Sequence, residues 1–231
     1  MPKYAIITGA GGALGGSVAT AFADAGWQLA LFAHSGEGRA RLERNFPESM
    51  VLEVDLTRQD ESRLAVRHVL SRFGGVDALL NIAGGFAMTP AEELEQQDFE
   101  RQLDINLRTV VSSTQAVLPG MLEQGSGFVL GVAAAAALSG GSRMAPYAAS
   151  KAALAAYLRS VQAELGPRGI LTSILYPMGA IDTPGNRRSM PKADPAGWLD
   201  PDELASSILH LATRGPRGHI RELMVYPTPR T

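Results

Sequence analysis

The sequence predicts an α/β domain: a single doubly wound, parallel β-sheet with helices on both faces. Three observations carry this expectation. Short apolar runs recur along the chain, and most are closed by Gly, Asn, Asp or His. Segments with helical spacing of apolar residues lie between them. No linker-like shift of composition and no internal repeat breaks the alternation, so residues 1–231 are expected to form one domain.

Tyr4-Ala-Ile-Ile-Thr8 is the first buried strand. Gly9-Ala-Gly-Gly-Ala-Leu-Gly-Gly16 follows. Helical spacing then runs over residues 14–25 (Leu14, Val18, Ala21, Phe22, Ala25), and Gly26 stops it. Leu29-Ala-Leu-Phe-Ala33 is the second strand. A strand, a glycine turn, a helix and a strand form a βαβ unit, whose turn is where a dinucleotide pyrophosphate sits. Glycine lets the backbone approach phosphate, and free N–H groups at a helix start favour anions. Glycines also serve tight loops without a ligand; the flanking strand and helix count against that reading.

The pattern repeats. Met50-Val-Leu-Glu-Val54 is a third strand, ended by Asp55-Leu56-Thr57, and a helix is expected over 59–73. Ala78-Leu-Leu-Asn-Ile-Ala83 is a fourth strand, ended by Gly84-Gly85. A long helix is expected over 98–118, interrupted at Pro119. Gly127-Phe-Val-Leu-Gly-Val132 is a fifth strand. The next helix, 146–165, closes at Gly166-Pro167. Ile170-Leu-Thr-Ser-Ile-Leu175 is a sixth strand. Residues 178–200 are rich in Pro, Gly and polar groups and are expected to be a loop over the substrate, with Met190 and Trp198 as wall residues or simply as packing. A short helix over 202–213 and the strand Glu222-Leu-Met-Val-Tyr226 complete the chain.

Composition narrows the function. Hydrophobic residues make up 45% and charged residues 19%, as in an ordinary globular protein able to bury roughly three quarters of its unfolded surface. The net charge of −2 provides no electrostatic footprint for nucleic acid or an anionic membrane. Arg187-Arg188 is a solvated pair in a loop rather than a patch. The absence of cysteine excludes disulfides, thiol nucleophiles and thiolate metal sites, and no other metal site is expected. The longest apolar run, 128–138, is shorter than the ~18 residues a membrane span needs, and residues 1–3 lead into a strand without a signal-peptide core. A cytoplasmic protein is expected.

Tyr147-Ala-Ala-Ser-Lys151 is the chemically informative stretch. Four residues apart, the phenol and the ammonium share one helix face. A free tyrosine titrates near pH ~10, too high for efficient proton exchange near neutrality. A neighbouring cation stabilises phenolate and lowers that value. Alone, the pair is also what an ordinary helix surface carries.

Thr8-Gly9 with Gly15, Asn81-x-Ala83-Gly84, Asn106 and Tyr147-x-x-x-Lys151, in this order and on these elements, resemble the short-chain dehydrogenase/reductase family over nearly the whole chain. The resemblance implies a Rossmann-type fold and an NAD(P)-dependent oxidoreductase acting on a small molecule. Gly9, Gly11, Gly12, Ala13 and Leu14 would hold the pyrophosphate. Ala33, His34 and Ser35 would meet the adenosine ribose, and Asp55 and Leu56 the adenine. Asn81, Ala83 and Gly84 would support the central strand and the cofactor. Asn106 would hold a water linking Lys151 to solvent. Lys151 would bind the nicotinamide ribose and depress the Tyr147 pKa, and Tyr147 would donate the proton. Pro177, Ile181 and Thr183 would line the nicotinamide, with Thr183 on its carboxamide. Ala134 and Met190 would face the substrate.

Three departures from the family pattern matter. Ala13 stands at the middle glycine of the loop. The second strand ends Ala33-His34-Ser35, with no carboxylate to repel a 2′-phosphate and with Arg39 close by, so NADP(H) is favoured and NAD(H) is possible; His34 is otherwise a plain strand-end residue. Counting back 13 residues from Tyr147, to the family's catalytic Ser position, gives Ala134. Ser139 and Ser142 lie too near Tyr147 to replace it. One such donor contributes a few kcal/mol, at order of magnitude, in a transition state.

A narrower resemblance speaks to that loss. Ala83-Gly-Gly-Phe86 and the stretch 182–194 with Trp198 are similar to the dihydropteridine reductase branch, which also carries Ala at this position and reduces a quinonoid dihydropterin. The expectation is therefore a reductase of a carbonyl or conjugated imine. The alternatives are a quinonoid dihydropteridine reductase and a non-catalytic, redox-responsive NADP-binding module. The resemblance also implies a homodimer or homotetramer through the helices at 98–118 and 146–165, where Ala152, Ala153, Ala155 and Ala156 permit close approach or pack within the subunit.

Overall fold

A computed structural model describes residues 3–228. Seven parallel strands form one sheet in the order β3-β2-β1-β4-β5-β6-β7. They are β1 (Tyr4–Thr8), β2 (Gln28–Ala33), β3 (Met50–Glu53), β4 (Ala78–Asn81), β5 (Gly127–Val132), β6 (Ile170–Pro177) and β7 (Glu222–Val225). The strand order reverses between β1 and β4, the place where open α/β sheets bind ligands beyond the strand ends.

Consecutive residues of the central strands enter opposite cores. Ala5 and Ile7 join a cluster beneath α1 (Ala13–Asp24) and α9 (Pro201–Thr213), while Ile6 joins one beneath α3 (Gln59–Phe73), α5 (Thr109–Gln124) and α7 (Ala145–Leu165). Burial on both faces explains why these strands are continuously apolar rather than alternating. Each fully buried Ile or Leu contributes roughly 1.5–3 kcal/mol. Among the described residues no helix is long and apolar enough to cross a membrane, and no group of His, Cys, Asp and Glu could hold a metal ion.

Several elements differ from the sequence expectation. The helix expected over 98–118 is three segments: α4 (Gln96–Leu103), a π-helical turn (Asp104–Arg108) and α5. Pro119 does not interrupt it but lies inside α5, where buried Val117 and Met121 hold the helix to the sheet. Residues 178–200 are not a plain loop; they hold α8 (Pro184–Ser189), and a bridge pairs Ile181 with Leu199. Two helices were not expected: α2 (Gly36–Asn45) and the short α6 (Ala136–Ser139). On α7, Ala155 packs inside the subunit and Ala156 is exposed.

Candidate active site

A cleft of about 710 Å³ opens at the carboxyl ends of the strands, over the reversal in strand order. One end is made of backbone. Gly9 sits at φ +64°, and a Cβ there would lie 2.6 Å from the Ala83 Cα. A Cβ on Gly15 would run into the Gly9 carbonyl oxygen. These two glycines bring the β1 turn, the start of α1 and the end of β4 into close contact. Thr8 braces the same corner, its hydroxyl accepting from the Ile82 and Ala83 amides at 3.1 Å each. Gly12 caps α1 with no side chain, so the first-turn N–H groups are free to meet an anion. The exposed Ala13 adds only a methyl to the cleft wall. Gly12, Ala13, Leu14, Ala33, His34, Asp55 and Leu56 line this end. Asp55 is held below the usual carboxylate range, chiefly by the Thr57 hydroxyl at 2.7 Å, with a smaller contribution from nearby His34. A cradle free of side chains, beside a helix start, fits the phosphates of a dinucleotide.

The other end is made of side chains, nearly all apolar. Ala133, Ala134, Ala135, Phe86, Met144 and Met190 form its wall, with Ile181 and Pro177 beyond. Tyr147 and Lys151 enter from α7, whose first turn is set by Pro146. The Phe86 ring meets the Tyr147 ring nearly perpendicularly, centroids 4.9 Å apart. Lys151 is buried and donates to the Val132 carbonyl at 2.8 Å. Burial governs both groups: it pushes the Tyr147 phenol up to about 12 and draws the Lys151 ammonium down to about 8.

Asn106 is buried at the π-helical turn and does not line the cleft. Its side chain clasps Gly85 from both directions, accepting from the Gly85 amide at 3.0 Å and donating to the Gly85 carbonyl at 2.9 Å. It also meets Gln102 and Ser150, and Ser150 donates to the Tyr147 carbonyl at 2.8 Å. Gln102 and Ser150 were missed by sequence reasoning; only their helical spacing from Asn106 and Tyr147 could have suggested them. Gly84 is wedged beside this clasp, where a Cβ would lie 2.8 Å from Asn106 Oδ1 and 3.1 Å from Lys151 Nζ.

Other expected residues stand apart from the cleft. Asn81 is buried in β4, accepts from Ser113 at 2.7 Å, and leaves its Nδ2 unpaired. Ser35 caps α2, its hydroxyl accepting from the Gly38 amide at 3.2 Å. Thr183 caps α8, accepting from Asn186 at 3.1 Å, and lines an adjoining groove with Gly11. Neither Ser139 nor Ser142 reaches the cleft, so no serine hydroxyl replaces the one absent at Ala134.

The comparisons agree with this architecture. The sequence model of the short chain dehydrogenase family matches residues 3–194. An uncharacterized oxidoreductase of Staphylococcus haemolyticus is 30% identical over 229 residues, 97% of each chain. A 3-ketoacyl-(acyl-carrier-protein) reductase from Brucella melitensis, solved with NADH, superposes with TM-score 0.86 at 28% identity, over 97% of this chain and 96% of that one. An alcohol dehydrogenase from the archaeon Thermococcus sibiricus, solved with 5-hydroxy-NADP, superposes with TM-score 0.85 at 27% identity over 100% of both.

Proposed function

The chain belongs to the short-chain dehydrogenase family and is an NAD(P)-dependent oxidoreductase; on that premise we propose that it prefers NADP(H) and reduces a carbonyl or conjugated imine, with Tyr147 as proton donor and Ala134 in place of a catalytic Ser. One observation carries the reading: Tyr147, Lys151 and Ala134 line the same cleft as the glycine cradle.

When bound, the nicotinamide cofactor supplies the hydride. The protein's part is placement, exclusion of water and a proton. Gly9, Gly12, Ala13 and the start of α1 would hold the phosphates. Burial pushes the Tyr147 phenol up to about 12, so it is protonated at neutrality, and the Lys151 ammonium would bring it down for proton transfer. Tyr147 delivers that proton to the substrate oxygen or nitrogen. Lys151 would hold the cofactor's ribose and stabilise the phenolate left behind. Asn106 fixes Gly85, and so the loop that sets Phe86 against Tyr147.

The absence of a hydroxyl at Ala134 selects for substrates that spread developing charge by themselves. This also favours a second reading, quinonoid dihydropterin reduction, in which a conjugated ring accepts the hydride. Association into a homodimer or homotetramer through α4, α5 and α7 is proposed on the exposure of Phe99 and Ala156 there. The test is NADPH consumption across simple ketones, quinones and quinonoid dihydropterin. Turnover is expected with the conjugated acceptors and little with simple ketones. A preference for simple ketones would defeat the reading.

A further inference from the structure

We infer that Arg41 on α2 is the side chain that recognises the adenosine 2′-phosphate, an inference that rests on the NADP(H) reading above. Arg39, two residues earlier, is nearer in sequence to Ser35, but it pairs with Glu43 at 2.8 Å on the exposed face of α2. Two positions along a helix point to different sides. Arg41 instead reaches back to the glycine loop, its Nη2 donating to the Gly11 carbonyl.

The loop composition permits this reach. A Cβ on Gly11 would touch both Arg41 Nη2, at 3.5 Å, and Gly38 Cα, at 3.8 Å. Any longer side chain at Gly11 would contest the space the guanidinium occupies. Arg41 forms no ion pair with a carboxylate among the described residues. One of its five N–H groups is spent on Gly11, which leaves the rest of the fork for an anion.

Its surroundings suit a phosphate monoester. Arg41 lines a groove of about 700 Å³ that shares Gly12 and Ala13 with the main cleft. Arg188 of α8 lines the same groove, with Ser17, Thr20 and Asn45, and no Asp or Glu does. The groove is thus polar and cationic and runs along the phosphate cradle. His34 and Ser35, where the adenosine ribose is expected, lie beside the start of α2. A ribose carrying only hydroxyls would leave the guanidinium with no charge to meet; a 2′-phosphate would meet it directly.

Calorimetric titration of the full chain with 2′,5′-ADP and with ADP tests this without turnover. The wild type should bind 2′,5′-ADP about tenfold or more tighter than ADP, as expected for a charge-assisted phosphate contact. Arg41→Gln, which keeps a donor for Gly11, should erase most of that ratio while changing ADP affinity less than about twofold. Arg41→Lys should restore part of it, and Arg39→Gln should leave both ligands unchanged. If Arg41→Gln weakens both ligands equally, or neither, the assignment is wrong although NADP(H) preference stands. If the wild type itself fails to discriminate, the NADP(H) reading falls and takes this assignment with it.

Discussion

The two ends of the cleft are built from different materials. The proposed phosphate end is backbone: two glycines with no room for a Cβ, and a helix start capped by a third. The proposed substrate end is side chain: an alanine wall, two methionines, Phe86, the Tyr147 phenol and the Lys151 ammonium. The first is specified by what must be missing, so it tolerates little. The second has very few polar atoms, so on the proposed function each of them would carry a large share of the chemistry while the apolar remainder can vary.

The largest expected effect falls on the substrate end. Tyr147→Phe removes one oxygen and retains the ring that packs against Phe86. With a general acid worth about 10²–10⁴ in rate, kcat should fall on the order of a thousandfold. NADPH affinity, measured by fluorescence titration, should stay within about threefold, because the cradle is untouched. A variant keeping a tenth of the wild-type rate would show that another group donates the proton.

The phosphate end should break through stability instead. Gly15→Ala drives a methyl into the Gly9 carbonyl, and the turn has no flexible side chain to yield. A cost of about 3 kcal/mol lowers the melting temperature by roughly 6–12 °C in a chain of this size. Gly16→Ala is the matched control. A Cβ there meets nothing within 4 Å, so it should be neutral or stabilise by up to about 1 kcal/mol. Similar melting curves for the two variants would remove the distinction drawn between the ends.

Ala134→Ser tests the substrate end in the opposite direction, by adding what is absent. Ala134 lines the cleft, so a hydroxyl added there is placed at the cleft wall. Activity on simple ketones should rise about tenfold or more, the reverse of losing one donor to a developing oxyanion. The rate on conjugated acceptors should change little. An equal gain on both classes would mean that charge delocalisation does not explain the alanine.

How much of this was legible in the sequence follows the same division. The glycine loop, the strand ends and Tyr147–Lys151 were visible because each depends on local residue type and spacing. Ser35 as a cap and Thr183-Pro184 as a helix start were also written locally, but α2 buries so few apolar residues, Leu42 the main one, that it shows no stripe. Pro119 misled because its local cost, about 3 kcal/mol, is outweighed by packing that only the fold reveals. The Asn106 clasp on Gly85 and the reach of Arg41 to Gly11 join residues 21 and 30 apart, and no periodicity encodes them. The Lys151 bond to Val132 is of the same kind, spanning 19 residues.

That last bond makes the smallest prediction, and it concerns the energetic cost of the substrate end. Lys151 is drawn from its ordinary 10.5 to about 8 by burial. Below pH 8 the lysine is charged whether the chain is folded or unfolded, and the fold bears the full cost of burying that charge. Between about 8 and 10.5 the unfolded chain holds the proton and the folded chain has released it. Stability therefore rises with pH across that window. Tyr147, raised from 10.0 to about 12, acts in the opposite sense above pH 10, so the clean interval is pH 8 to 10. Over it the wild type should gain about 2 kcal/mol relative to Lys151→Met in urea unfolding without cofactor. Parallel stability curves for the two proteins would mean that the buried ammonium costs the fold nothing there.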